Sequence, residues 1–314
     1  MSRTSIVIVT WNSQLVLEEC VSSLFRFVPS EDFELFLVDN DSRDRNYLKA
    51  YHGRPNITVI LNGENLGYAK AVNIGLSQAK GEYYLILNPD TVFISNPLPR
   101  LVGELRKNSS VGAIAPLLYG SDGRPQIQDF YPKFPSIMQF ILLRSILGKL
   151  RFFKNLSVRY LHSRVGTAGI FFVDQIPGAF LLFHRSLVHA KSALNEAYFI
   201  WMEDVDFCLN LRKRGLKVAV VSDEKIIHIG GSSFKMWDVS RKKLNFTKSF
   251  MTYLVLHHGF VSHFTYGLFM TANAMAITLL FVVARRPSQA LERIRLEGKV
   301  LGLIWKSLWV RMIS

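Results

Sequence analysis

The residues best equipped for chemistry in this chain are carboxylates and amides that stand just after apolar runs. Asp90 closes Asn88-Pro89-Asp90 behind Tyr83–Leu87, and Asp39 opens Asp39-Asn40-Asp41-Ser42 behind Leu35–Val38. Thr10-Trp11-Asn12 and the stretch Asn62 to Asn65 follow two further runs. A carboxylate leaving a buried strand suits a hard divalent cation such as Mg2+ or Mn2+, which takes oxygen ligands and few of them from protein. Glu203, Asp204 and Asp206 put three acids within four positions. A helix start needs only one such acid as a cap, so three are more than capping explains. Asn, Asp and Ser also build turns for purely local reasons. Taken singly, each cluster is explained as well by turn or cap chemistry as by a site; together at one edge of one sheet they point to a site.

That shared edge depends on the elements between them. Ile6–Val9, Leu35–Val38, Ile57–Leu61, Tyr83–Leu87 and Val111–Ala115 read as strands of a sheet buried on both faces. Val16–Phe27, Asp44–Tyr51, Tyr68–Ala79 and Pro97–Lys107 read as helices, with Asp44, Asn65 and Asn96 placed as caps and Pro97 in a first turn. The alternation predicts an α/β fold with a mainly parallel sheet flanked by helices. Ligands of such sheets bind beyond the carboxyl ends of the strands, where the polar clusters lie. Further on, Gly120–Gly123 marks a turn, Ile176–Phe183 a strand and Glu203–Arg214 a helix. Val218–Val221 and Ile226–Ile229 complete the sheet.

Val9-Thr-Trp-Asn12, Leu37 to Ser42, Asn65-Leu-Gly-Tyr-Ala-Lys-Ala-Val-Asn-Ile-Gly75 and Leu87-Asn-Pro-Asp90 resemble family 2 glycosyltransferases, most nearly the bacterial rhamnosyltransferase-like branch. Pro177-Gly-Ala-Phe180, Trp201-Met-Glu-Asp-Val-Asp206 and His228-Ile-Gly-Gly-Ser232 follow in the expected order, so the resemblance covers about residues 4–234. It implies a GT-A fold, an inverting mechanism and a divalent metal. Asp90 then corresponds to the last acid of an Asp-x-Asp metal motif whose first acid is here Asn88, and His228 to a second metal ligand. Asp39 matches the residue that reads a pyrimidine edge, with Thr10 and Asn12 lining the same nucleotide pocket. Asn65 and Gly67 open a helix whose N–H groups could face the donor. Asp204 matches the catalytic base, with Glu203 beside it as an acceptor-side or supporting group. Trp201 could pack on a sugar face or belong to the core.

The chain carries a net charge of +14, concentrated in 235–314 (12 Lys/Arg against 3 Asp/Glu) and in 130–173 (7 Lys/Arg, no acid). These basic stretches alternate with Phe, Leu, Ile and Trp, a mixture that fits an anionic lipid surface better than nucleic acid. Residues 249–284 hold no Asp, Glu, Lys or Arg, yet basic residues flank both ends. That symmetry disfavours a single crossing and predicts a re-entrant or interfacial element. Residues 136–161 read as a basic, apolar-rich stretch of helix length, and Leu291–Met312 as an amphipathic surface helix. The expected division is a catalytic domain over 1–234 and a helical membrane-associating region over 235–314. Two cysteines without metal-ligand spacing, and an apolar strand-like run starting at Ser5, point to reducing cytosol, and the basic, apolar segments to the inner membrane face.

The resemblance implies sugar transfer from a nucleotide diphosphate, dTDP-L-rhamnose first and a UDP-hexose second, onto a lipid-linked saccharide in cell-surface polysaccharide synthesis. A nucleotidyltransferase would open with a Gly-rich, Arg-containing loop where Thr10-Trp11-Asn12 stands. A membrane-surface scaffold with a vestigial pocket is the reading from another class, and the set Asp39, Asp90, Asp204 and His228 speaks against such decay.

Overall fold

Runs of Val, Ile, Leu and Phe without an intervening charge suit strands covered on both faces, and three of the first four are covered in that way. A computed structural model describes residues 3–127, 132–137, 165–166, 168–188, 192–230, 237–283 and 287–313. Strands β1 (Thr4–Thr10), β2 (Phe33–Asp39), β3 (Ile57–Leu61) and β4 (Tyr83–Leu87) pair in parallel in the order β3-β2-β1-β4. Every residue of β1 and β4 is buried, whereas β3 lies at the sheet edge and leaves Leu61 48% exposed. Each fully buried Val, Leu, Ile or Phe contributes about 1.5–3 kcal/mol. This core therefore dominates the stability of the unit and tolerates buried polar groups at its rim.

Helix α1 (Gln14–Phe27) buries Leu17, Cys20, Val21 and Leu24, the three-and-four spacing of one helical face. Helix α2 (Tyr68–Gln78) lies against β1 so closely that a Cβ at Gly75 would meet the Val7 side chain at 2.6 Å. Helix α3 (Leu98–Lys107) buries Leu98, Leu101, Val102 and Leu105. The expected helix over Asp44–Tyr51 is a single 3-10 stretch over Asn46–Tyr51, whose first N–H is taken by Asp44 Oδ1.

Beyond β4 the sheet becomes mixed. Strands β5 (Thr91–Phe93), β6 (Val111–Tyr119), β7 (Ile170–Val173), β8 (Phe180–His184) and β9 (Lys217–His228) complete it. β8 runs antiparallel between β4 and β6, and β9 runs parallel to β6. The carboxyl end of β9 thus points the same way as those of β1, β2 and β4. β8 starts four residues later than the expected Ile176–Phe183 strand, because Pro177-Gly178-Ala179 form a turn closed by the Phe180 N–H on Pro177 O at 3.3 Å. The two short strands expected at 218–221 and 226–229 are one: a register shift against Pro116/Leu117 absorbs the polar Ser222-Asp223-Glu224 as a bulge. Helix α4 (Glu203–Lys213) buries Val205, Phe207, Cys208 and Leu211.

The chain divides into two units, the first holding these elements and the second beginning again at Trp237. The second contains α5 (Val239–His257), α6 (Gly259–Val283) and α7 (Pro287–Ile313). Asp238 caps α5 by accepting the Arg241 N–H at 2.7 Å, and Lys243 pairs with Glu297 of α7 at 2.6 Å. Trp305 Nε1 donates to Thr271 Oγ1 at 3.2 Å, joining α7 to α6. The uncharged stretch 249–284 is therefore broken between two helices, with Gly259 at φ +75°. Val261, Phe264, Leu268, Met275 and Leu279 recur at helical spacing on the exposed side of α6. Among the described residues no helix is long and apolar enough to cross a membrane. Of the stretch expected at 136–161, residues 138–161 lie outside the described residues, as do Gly231 and Ser232 of the last motif.

Candidate active site

The polar clusters do meet at one sheet edge, and the chain reaches that arrangement by local steps. Thr10 and Asp39 end β1 and β2, which pair residue for residue, so the two are register partners. Asp39 is fully buried. Its Oδ1 accepts from Thr10 Oγ1 at 3.2 Å, from Tyr47 Oη at 3.3 Å and from the Ser42 hydroxyl; Oδ2 accepts the Ser42 N–H at 3.1 Å and faces Arg45 Nε at 2.9 Å. An ionised carboxylate offers about four lone-pair sites, and protein donors already use them. A base edge reaching Asp39 would compete with Thr10, Tyr47 or Arg45. Asn12 sits beside this cluster at φ +52°, with its N–H on Ser42 Oγ and its Oδ1 accepting from Arg43 N. Its Nδ2 is buried with no protein partner among the described residues, a donor left for a ligand.

Asn65 and Gly67 hold the next loop. Asn40 of the β2 edge donates to Asn65 Oδ1 at 3.0 Å and Gly67 O at 3.1 Å, and accepts from Asn62 Nδ2 and Leu66 N. Asn65 Oδ1 also takes the Gly67 N–H at 3.1 Å. The N-cap of α2 is Gly67, not the expected Asn65. Gly67 is at φ +86°, and a Cβ there would stand 2.6 Å from Phe199 O. That carbonyl accepts the Tyr68 N–H at 2.6 Å. The first N–H of α2 thus fixes the 192–202 loop rather than facing outward. Asn73, one α2 turn on, donates to Leu194 O at 2.7 Å and accepts the N–H groups of Ala193 and Leu194.

This pinned loop ends at Trp201 and Met202, two consecutive non-glycine residues at φ +64° and +71°. Left-handed backbone at a large side chain is strained by about 1–3 kcal/mol per residue. The strain throws the chain straight into α4 with Glu203 and Asp204 at its start. Trp201 is half-buried. Asp204 is held by two backbone donors, the Gly178 N–H at 3.0 Å and the Val205 N–H at 2.8 Å. Burial raises its pKa above the ordinary carboxylate range, and those N–H groups oppose the shift. Glu203 is buried too, and its Oε2 has no partner among the described residues. Burial, then the neighbouring Asp204 charge, push its pKa well above the ordinary range. Of the pair, Asp204 is the better placed to lose its proton and Glu203 to keep it. Asp206, the third acid, is a structural acceptor for Tyr198 Oη at 3.1 Å and Asn210 Nδ2 at 3.0 Å.

Asn88-Pro89-Asp90 leaves β4 and turns directly into β5. Behind it, Thr91 Oγ1 donates to Asn88 O at 2.8 Å, and the Cys20 thiol of α1 lies 3.6 Å from the same carbonyl. Burial raises the Cys20 thiol to about 12 and also raises that of Cys208, so both are inert. Antiparallel pairing of β5 with β9 sets Thr91 opposite His228, and the Ile229 N–H donates to Asp90 O at 2.9 Å. Asp90 Oδ1 and His228 Nε2 come to 3.4 Å, both nearly buried. One carboxylate and one imidazole fit a divalent cation that takes its other ligands from water and phosphate. Among the described residues no three His, Cys, Asp or Glu side chains gather as a fuller cage.

Tyr68 joins the two halves, and sequence reasoning gave it no role. Its hydroxyl lies 3.1 Å from Asn88 Oδ1 and 3.3 Å from Gly178 O. Burial above all, and then the carboxylates of Asp204 and Asp90, hold its proton on. Donation to Asn88 Oδ1 leaves the Asn88 NH2 out of this contact. Tyr68 and Gly178 were both visible inside quoted motifs; only the fold shows that they touch the same groups.

The profile of Glycosyl transferase family 2 matches residues 5–170. N-acetylglucosaminyl-diphospho-decaprenol L-rhamnosyltransferase of Mycobacterium tuberculosis is 26% identical over 236 residues, spanning 71% of this chain and 75% of that protein. The crystal structure of GalNAc-T7 with UDP, GalNAc and Mn2+ superposes with a TM-score of 0.57 at 19% identity, over 73% of this chain and 43% of that one. The mannosyltransferase PcManGT from Pyrobaculum calidifontis, in complex with GDP-Man and Mn2+, gives 0.55 at 15% identity over 98% and 87%. At such identities the structural likeness establishes the α/β fold alone.

Proposed function

The chain belongs to glycosyl transferase family 2, and from that premise we propose that it transfers a sugar from a nucleotide diphosphate to an acceptor hydroxyl with inversion at the anomeric carbon. The observation that carries this reading is the Tyr68 hydroxyl, which touches both Asn88, two residues before Asp90, and the carbonyl of Gly178, whose N–H holds Asp204. It brings the diphosphate-side and acceptor-side groups into one site.

Asp204 takes the acceptor proton as the hydroxyl oxygen attacks. Its two backbone N–H donors hold the carboxylate in place. Glu203 keeps its own proton, so the second carboxyl adds no like charge beside the base. The Asn88 NH2, which Tyr68 does not engage, donates to a phosphate oxygen as negative charge develops there. Asn12 Nδ2 and the Asp39 cluster line the nucleotide pocket, and Trp201 borders the acceptor side. Asp90 and His228 would hold a divalent cation, which supplies electrostatic stabilisation of the leaving diphosphate.

The name of the L-rhamnosyltransferase relative supports an L-rhamnosyl donor and a lipid-linked saccharide acceptor, and we take dTDP-L-rhamnose as that donor. We assign 1–234 to catalysis and 235–314 to a membrane surface at the cytoplasmic face. The unbroken apolar stripe on α6 and the exposed Arg295, Lys299 and Lys306 of α7 support an anionic lipid partner. Calorimetric titration with dTDP, UDP and GDP, with and without Mn2+, tests the donor site. Metal-dependent binding of one pyrimidine diphosphate, weakened by Asp90→Asn, is the expected outcome. Folded protein that binds no nucleotide would sink the transferase reading.

A further inference from the structure

We propose that Gln126 is a positioning residue that keeps the proton of His228 on Nδ1 and so presents Nε2 on the side of Asp90. The proposal rests on the metal reading of Asp90 and His228 given above. Gln126 lies outside every motif, yet the fold places it with care. β6 pairs in parallel with β9, setting Tyr119 opposite Ile227. The chain then reverses in a tight turn, with the Gly120 N–H on Arg124 O at 2.8 Å and the Gly123 N–H on Gly120 O at 3.0 Å. The returning segment rejoins the end of β6 through the Gln126 N–H on Leu118 O at 2.9 Å and a bridge between Tyr119 and Pro125. Gln126 is thereby set beside the last residue of β9, which is His228.

The side-chain amide grips that residue at two points. Gln126 Nε2 donates to the His228 carbonyl oxygen at 3.0 Å, and Gln126 Oε1 lies 3.2 Å from His228 Nδ1. The first contact fixes the direction of the amide, since the flipped form would set two carbonyl oxygens against each other. The second contact then has one solution. A carbonyl oxygen has no proton to give, so the hydrogen between Oε1 and Nδ1 belongs to the imidazole. In the neutral ring that leaves the lone pair on Nε2, 3.4 Å from Asp90 Oδ1. Histidines that bind metals commonly donate their other ring N–H to a carbonyl or carboxylate, which sets both tautomer and ring orientation. Gln126 supplies that acceptor from a turn of otherwise exposed residues.

Mn2+ alone, titrated calorimetrically into the full chain, is the probe. Gln126→Leu removes the acceptor and should weaken Mn2+ affinity about 10–100-fold, the general effect of losing such an outer partner. Gln126→Glu keeps an acceptor for Nδ1–H and should hold the affinity near that of the unmodified chain or above it. Gln126→Met serves as a second apolar variant in case the leucine variant melts early, with thermal melts run on all three. Affinity lost in Leu and Met but kept in Glu supports the proposal. Equal weakening in Leu and Glu, in step with their melting temperatures, overturns it and leaves Gln126 a purely structural contact. His228→Ala separates the two levels: if the unmodified chain binds no Mn2+, or binds it no better than His228→Ala, the metal reading itself fails.

Discussion

Two carboxylate centres at the same sheet edge are built in opposite ways. Asp39 is surrounded by protein donors on both oxygens and lies on regular backbone at the end of β2. Glu203 and Asp204 stand side by side after two left-handed residues, and one Glu203 oxygen has no partner among the described residues. A saturated carboxylate gives its energy to the fold and changes little during a reaction. An under-supplied buried pair raises the energy of its ionised state, and proton transfer can draw on that. On the proposed mechanism the first centre serves mainly as a frame and the second as the working part.

Substitutions can break that contrast. The largest effect is expected from Asp204→Asn, which removes the base: kcat should fall about 10²–10⁴-fold, with the melting temperature unchanged or raised. A loss of folding in step with activity would make Asp204 part of the frame. Asp39→Ala should do the reverse, lowering stability by about 3 kcal/mol in urea titration, because Thr10, Ser42, Tyr47 and Arg45 all lose their acceptor. Gly67→Ala must force a side chain into left-handed backbone against Phe199 O. It should destabilise by about 1–3 kcal/mol and disturb kcat through the loop that carries Trp201 and Met202.

The smallest effect is the most diagnostic. The folded pKa of Glu203 lies well above its ordinary value. The folded state therefore binds this proton more tightly than the unfolded chain does. Its contribution favours folding at acid pH and is lost as pH rises through the folded value. Glu203→Gln, neutral throughout, should match the unmodified protein in acid and exceed it at alkaline pH, the gap opening as pH rises toward the folded value. Thermal melts across pH measure this, and a constant difference at all pH values would show that Glu203 does not titrate there. The raised pKa of Asp204 likewise predicts that kcat is lost on acidification at a pH above the usual carboxylate range.

Much of the frame was legible because buried parallel strands need uninterrupted apolar runs, and β1, β2 and β4 are such runs. The acids after them were visible for the same reason. Less legible was anything decided by distant partners. β8 is antiparallel between two parallel neighbours, a matter of pairing across about a hundred residues. The polar bulge at Ser222-Asp223-Glu224 looks like a chain break until β6 is seen to cross it. Asn65 looks like a cap because caps are local, whereas the true N-cap, Gly67, is dictated by the closeness of Phe199. Gln126 carries no signal of its own; its place follows from a turn and a register.

The two buried thiols have a practical consequence. Cys20 and Cys208 are the only cysteines of the chain, and both are sealed in the first unit with their ionisation suppressed. Under native conditions a maleimide has almost no thiolate to attack. A single cysteine introduced on the exposed face of α6 would thus take a fluorophore selectively, with no need to strip the native cysteines first. The label's environment could then be followed directly as lipid vesicles are added.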